Sequence, residues 1–426
     1  MLFGKIIVAA AMGGLAAALA QKGIAVFHDG LRPVMPEFLE GRMKRRELAL
    51  TSFALSFGLV VGYGIPVSLT GALLLIHSVF LATDIIAAFS PSTPVAAAIG
   101  ALYGGGIAVG LQWIVNLIKM LPVNFLGALG DVGTPIVVAF AVFPALAVGY
   151  QYGARKGIYT LLFSLLVRQL VVRFSPIPLG TAKLNINPEG SALVAGMVFL
   201  LMYAMREKAG GHEVDTASIF ANRVTRIKKN LPYLAVMGAL VGIATQLHIV
   251  AGDPISLNLV AKGNITDAAI AAFARAIGFI PLVGTTAIAT GVYGPVGMTL
   301  VFGAALLSPN PVVAGILGAA VIGAEVLFLD VLARFMDRYP GIRRAGEHIR
   351  TAMTKVLEIA LLVGGMTAGN SMAPGLGFFL VAGVYILNEI AGMPITRMAV
   401  GPVAAILVGV AINILKVLGL FIVPVK

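Results

Sequence analysis

The chain has 426 residues, of which 59% are apolar and only 11% charged, with a formal net charge of +12 and no cysteine. A soluble domain of this length needs more charge on its surface, so the composition excludes one and asks for lipid as solvent. Without cysteine there is no disulfide, thiol nucleophile or cysteine metal site.

Apolar runs near the roughly 20 residues that a spanning helix needs recur almost end to end. They lie near 3–27, 49–66, 68–89, 94–119, 135–153, 157–174, 191–205, 231–251, 266–283, 284–307, 311–335, 352–370, 373–390 and 399–423. The expected fold is an all-α polytopic membrane protein with about 11–14 membrane segments, re-entrant hairpins among them. The 51 glycines fit closely packed spanning helices. Lys5 and Ala18-Leu19-Ala20 imitate a secretory signal, but the first run reads as a membrane helix.

That helix ends at His28-Asp29-Gly30-Leu31-Arg32-Pro33. His28, Asp29 and Arg32 form either a gate or a structural corner in which Asp29 pairs with Arg32. Over 34–47, Met35, Phe38, Leu39 and Met43 recur near helical spacing and Glu40 precedes Lys44 by four. This reads as an amphipathic helix on the membrane surface, or as an ordinary basic loop. Residues 1–48 thus form an N-terminal unit, 49–205 a first membrane repeat, 206–230 a polar linker and 231–426 a second membrane repeat.

An ionisable group in hydrocarbon needs a partner, a cavity or a function. Asp84, with His77 seven residues before it, and Glu325 lie deep in their runs. They are candidates for ion coupling or solute counter-charge; His77 alone also reads as a packing residue. Arg168 and Arg275 are open to the same counter-charge role or to helix-to-helix ion pairing or snorkelling, whereas Arg173 and Asp330, near helix ends, read as ion pairs or snorkelling side chains.

Two stretches read as broken membrane elements, since Pro removes a backbone donor and Gly loosens a helix. Such backbone survives at membrane depth only when buried in protein or facing a wet cavity. The first, 121–135, offers Asn124, Asp131 and Thr134; its alternative is an external loop. The second, 281–295, offers Thr285, Thr286, Thr290 and Tyr293 as hydroxyls for a polar solute, with Asn310 nearby in sequence. Ser90-Pro91-Ser92-Thr93-Pro94 and Ser308-Pro309-Asn310-Pro311 precede similar apolar runs. By span count those runs point in opposite directions, which implies inverted-topology repeats with a solute site at the midplane.

Twenty Lys and Arg residues, including Arg32, Arg42–Arg46, Arg155, Arg223–Lys229, Arg334–Lys355 and Arg397, fall on one side of the alternating spans. Only Lys5, Lys119, Lys183, Lys262 and Lys426 fall on the other. Positive-inside bias makes the first set cytoplasmic and explains the charge without nucleic acid. No phosphate-binding Gly-x-x-x-x-Gly-Lys-Ser/Thr run, no metal-ligand spacing and no paired nucleophile and base occur, so neither cofactor, metal nor enzymatic activity is expected.

The stretches 27–33, 121–127, 229–233, 285–293 and 307–311 resemble the YhfT-like family over nearly the whole chain. The resemblance implies a bacterial inner-membrane transporter without a settled substrate, associated with genes for small-metabolite enzymes. Asn124 stands where the family pattern leads one to expect an acid, which weakens it for proton coupling. A more distant architectural likeness to ascorbate- and galactitol-type phosphotransferase membrane subunits does not carry a substrate over. The expectation is a secondary transporter of a small polar metabolite, anions included, working by alternating access, as an elevator-type homodimer in the bilayer. The alternatives are a phosphotransferase-type permease with a phosphorylated partner, a passive channel, and an intramembrane enzyme.

Overall fold

In a computed structural model, the structure describes residues 2–175, 177–179, 182–184, 188–207, 217–395 and 397–422. The first half opens with α1 (Leu2–Gln21), a 3-10 turn (Arg32–Val34), α2 (Met35–Leu39) and α3 (Arg45–Leu59). A π-helical turn (Val60–Gly64) joins α3 to α4 (Ile65–Gly71), and β1 (Leu74–Leu75) leads into α5 (Ile76–Phe89) and α6 (Thr93–Lys119). Then come α7 (Leu126–Gly130), α8 (Gly133–Tyr152), α9 (Ala154–Phe174), a hairpin of β2 (Ile177–Leu179) and β3 (Ala182–Leu184), and α10 (Pro188–Arg206). The second half runs α11 (Ala217–Lys229), α12 (Leu231–Gln246), β4 (Val250–Ala251), α13 (Pro254–Ala261), α14 (Ile265–Thr290) and α15 (Leu300–Leu306). It closes with α16 (Pro311–Arg338), α17 (Pro340–Met372), α18 (Leu376–Ile390) and α19 (Arg397–Val417).

Helix starts follow local chemistry. Asp253 and Asn310 each accept a backbone N–H from the first turn of the helix they precede, at 2.9 and 3.0 Å, and proline follows each where no donor is needed. Among the described residues, seven helices are long and apolar enough to cross a membrane: those within α1, α6, α9, α10, α16, α17 and α19. The chain is a multi-pass, all-α membrane protein. The parts Ile265–Ile277 and Leu282–Thr290 of α14 bend by 48° and together form a broken span or a re-entrant loop. Pro281 lies at that bend, where a missing backbone donor weakens the helix. Helices α5, α12 and α18 are apolar but only 14, 16 and 15 residues long, short of a bilayer on their own.

The helices form two groups. In one, α1 packs on α6 and α12 on α16, with α5 and α15 between them. Small residues bring these backbones together: a methyl on Gly13 would lie 3.1 Å from the Gly104 Cα, and one on Gly238 3.0 Å from the Gly318 carbonyl carbon. In the other group α8, α9, α10, α17, α18 and α19 pack on one another. Helix α14 touches both. Each group draws helices from both halves of the chain.

Two expectations are corrected, and a third falls partly outside the described residues. The segment 34–47 is not one surface helix: α2 has five residues, Met35 is buried, and Glu40 pairs with Arg42 rather than Lys44. Arg42 also holds Glu37 at 2.6 Å, and Glu47 caps the Lys44 N–H at 2.9 Å, leaving Lys44 to start α3. The division between runs at 283/284 is absent, because α14 stays helical through Thr290. Of the linker 206–230, residues 208–216 lie outside the described ones, and its end is the amphipathic α11, packed on α14 and α16.

Candidate functional site

Four helix interruptions meet in two pairs. Extended backbone after α12 pairs in parallel with backbone before α5: Leu74 faces Val250 and Leu75 faces Ala251. Extended backbone after α1 likewise meets the segment after α14, where Ala25 bridges Tyr293. Val26 N donates to Tyr293 O at 2.9 Å and Tyr293 N donates to Ile24 O at 3.0 Å. Broken helices therefore spend part of their freed backbone groups on each other, which answers the cost of unmet groups at membrane depth without a solute.

Two buried carboxylates brace the second crossing. Asp84, 3% exposed, accepts the Phe27 N–H at 3.0 Å and the His28 N–H at 2.8 Å. Glu325, 4% exposed, accepts the Tyr293 hydroxyl at 2.9 Å and the Met298 N–H at 2.7 Å. Each acid thus sits on one helix and holds the unwound chain of another. Bonds of this kind to a charged acceptor stabilise by about 1.5–3 kcal/mol each.

Beside the crossings lies a cavity of about 960 Å³, at the upper end of the usual range for small-molecule sites. Its walls come from 27–34, the α3–π-turn segment, α5, α14, 294–299, α17 and the start of α19. Five of its lining residues carry buried polar atoms with no protein partner: Arg32, Tyr63, His77, Arg275 and Thr299. Arg32 contributes Nε and one terminal nitrogen, although its other terminal nitrogen pairs with Asp29. Arg275 has an unmet terminal nitrogen, and its guanidinium lies 4.7 Å from the centre of the Phe279 ring. Each such group costs about 1–3 kcal/mol when nothing meets it. Five such residues line this one space.

Local backbone aims these groups. Tyr63 lies in the π-helical turn, where the extra residue shifts side chains around the helix. Thr299 has φ 74°, an unfavourable conformation for a β-branched residue, and precedes α15. His77 stands edge-on to Phe27 and Tyr63, ring centres 5.1 and 5.0 Å away. His28 lies outside the spanning helices; burial first, then Arg32, lowers its pKa to about 4, so the imidazole is neutral. Its Nδ1 accepts the Gly30 N–H at 2.9 Å and shapes the corner.

Residues 5–421 match a family described as YhfT, protein of unknown function. The chain is also 40% identical to the uncharacterized protein YhfT of Escherichia coli (strain K12), covering 99% of each chain. It belongs to the YhfT family. No solved structure matches it.

In this YhfT-family chain several expected site residues are occupied elsewhere. The Thr285 hydroxyl donates to Leu282 O at 3.3 Å within its own helix, and Thr290 donates to Thr286 O at 2.7 Å while accepting the Val292 N–H at 3.2 Å. Tyr293 belongs to Glu325. None of Thr285, Thr286, Thr290 and Tyr293 lines the cavity. The three threonines lie in α14, ahead of the interruption, which falls at 291–299 rather than 281–295. Asn310 is an exposed helix cap, and Asn124 is exposed with its side-chain oxygen on Leu126 N at 3.1 Å. Asp131 accepts from Ser371 at 2.6 Å. The side chain of Thr134 lies outside the described residues. The stretch 121–135 is a connection carrying the short α7 and clamped at Val123 by Asn413, at 2.8 and 3.0 Å. Asp84 and Glu325 hold backbone and do not line this cavity, whereas His77, His28, Asp29 and Arg32 do. Arg168 pairs with Glu189 at 2.8 Å and Asp330 with Lys228, as helix-to-helix ties.

Sequence reasoning passed over Tyr63 and Thr299 and left Arg275 open between a solute counter-charge and a structural ion pair. An arginine in the middle of the apolar run 266–283 was the one visible signal. Nothing local distinguishes Tyr63 or Thr299 from other hydroxyls in apolar surroundings.

Proposed function

We propose that this protein is a secondary transporter that carries a small polar metabolite by alternating access, with the cavity between 27–34, α5, α14 and α17 as its binding site. The observation that carries the reading is the convergence of five residues with unmet polar atoms on one cavity inside a lipid-solvated bundle. Interrupted helices beside such a cavity are a recurring construction of carriers.

An inverted repeat is supported by paired features of the halves. Helix α1 packs on α6 as α12 packs on α16, and each extended crossing joins the segment after the first helix of one half to a later interruption of the other. Ser90 and Ser308, before α6 and α16, each donate to a carbonyl of the preceding helix, at 2.7 and 2.6 Å. In this reading the group holding both crossings moves against the group of α8–α10 and α17–α19, as an elevator-type homodimer. The basic residues Arg350, Lys355 and Arg397 line the cavity. Positive-inside bias puts them at the cytoplasmic face of a bacterial inner membrane, so the cavity faces inward.

The test is uptake into proteoliposomes of labelled carboxylates, sugars, amino acids and phosphate esters under an imposed proton or sodium gradient. Accumulation above the external concentration is expected for one class, with loss in Tyr63→Phe or Thr299→Val. Equilibration without accumulation would show a channel instead. A product phosphorylated only with a cytosolic phosphocarrier would show a phosphotransferase permease.

A further inference from the structure

The cavity is not only polar; its charge has a sign. It is lined by five basic side chains, Arg32, Arg275, Arg350, Lys355 and Arg397, against three carboxylates, Asp29, Glu37 and Glu358. Arg397 is held by Glu389 at 2.8 and 2.9 Å, so the positive excess rests on Arg32, Arg275 and Arg350. Every one of the three carboxylates has a basic partner: Asp29 has Arg32, Glu37 has Arg42 at 2.6 Å, and Glu358 has Lys355 at 3.1 Å. A cationic solute would find no free carboxylate on this wall.

Two buried guanidiniums remain underused. Arg32, 2% exposed, shares Asp29 but keeps Nε and a terminal nitrogen unmet. Arg275, 9% exposed, has Asp253 3.9 Å from the terminal nitrogen that lacks a partner, too far for a hydrogen bond. Asp253 is meanwhile committed to Ser256, whose N–H and hydroxyl it accepts at 2.9 and 2.7 Å. The Phe279 ring lies against the Arg275 guanidinium and limits the directions it can face. Guanidiniums with spare donors in a low-dielectric wall are matched by the fork of a carboxylate or by phosphate oxygens. Elsewhere the lining is apolar, with Leu59, Leu81, Leu282 and Val283 among it, so room exists for a carbon body attached to that group.

We propose that the solute is a small organic anion whose carboxylate or phosphate group is bound by Arg32 and Arg275, with Tyr63, His77 and Thr299 contacting its polar substituents. The word solute rests on the carrier reading above; the anion site itself does not.

The test uses the full-length protein in detergent and follows thermal stabilisation. Two- to six-carbon carboxylates and phosphate monoesters are each paired with the neutral alcohol of the same skeleton, such as glycerol 3-phosphate with glycerol and gluconate with sorbitol. At least one anion is expected to raise the melting temperature while its neutral counterpart does not, and the better member class tells carboxylate from phosphate. Arg275→Gln and Arg32→Gln should each weaken that anion at least tenfold, whereas Asn310→Ala should leave its affinity unchanged. Arg275→Lys, which keeps the charge but loses the fork, should weaken it several-fold and serves where a glutamine variant fails to fold. The proposal is overturned by a panel in which no anion outperforms its neutral partner, or by well-folded arginine variants that bind the anion as tightly as the parent. Arginine-dependent binding without uptake in proteoliposomes would remove the carrier reading and keep the anion site. Accumulation of a neutral solute unaffected by Arg275→Gln would do the reverse.

Discussion

Asp84 and Glu325 on one side, and Arg32 and Arg275 on the other, are all buried ionisable residues of a membrane bundle, yet their surroundings differ in kind. The acids face the fold: each accepts hydrogen bonds from the unwound chain beside it, two backbone donors for Asp84 and one backbone donor plus the Tyr293 hydroxyl for Glu325, whose Oε1 is left without a partner. The arginines also have guanidinium nitrogens left over, and both arginines line the cavity of about 960 Å³, as neither acid does. A charge in hydrocarbon is thus not by itself a functional signal. What separates scaffold from site is whether the residue with capacity to spare also borders a cavity.

Substitution can break that contrast. Glu325→Ala removes the acceptor of both the Tyr293 hydroxyl and the Met298 N–H, and should cost on the order of 3 kcal/mol, read as a clear fall in the detergent melting temperature. Asp84→Asn keeps one acceptor oxygen but loses the charge and turns an amide donor towards backbone donors; a loss of about 2 kcal/mol is expected. Uptake by Asp84→Asn should fall only in step with the amount of folded protein. Full stability with abolished uptake would instead make Asp84 a coupling group. Asn310→Ala deletes the cap of α16 and should cost about 1 kcal/mol, with transport kinetics of the folded protein unchanged. The smallest stability effect belongs to Arg275→Gln: relief of an unmet buried donor should leave the melting temperature within about 0.5 kcal/mol of the parent or above it, while uptake is lost. A large destabilisation there would place Arg275 among the scaffold residues.

Much of the architecture was legible because hydropathy and helix punctuation are local. The expected runs 94–119, 135–153, 157–174, 191–205 and 311–335 reappear within a few residues as α6, α8, α9, α10 and α16. The Pro-rich breaks at 90–94 and 308–311 separate helices as the sequence indicates. The corner at 28–33 forms with its Asp29–Arg32 pair. The interruption near 281–295 was legible as an event but not in position. Pro281 bends α14, and the chain leaves the helix only at Gly291, which adopts φ 69°. The hydroxyls of Thr285 and Thr290 looked like solute ligands because a sequence does not show that a threonine in a helix can satisfy itself on a carbonyl of the preceding turn.

What the sequence determined by itself was residence and segmentation, since too little charge for water and enough apolar length for lipid are properties of composition and run length. It also named the residues that cannot be neutral bystanders, Asp84, Glu325, Arg32 and Arg275 among them. Tertiary structure alone decided their roles, because a role depends on which donors and acceptors arrive from distant helices. Phe27 and His28 reach Asp84 across more than fifty residues, and Met298 reaches Glu325 from the interruption before α15. No residue within the described fold completes the hydrogen bonding of Arg32 and Arg275, and that remainder becomes visible only when every other partner is in place.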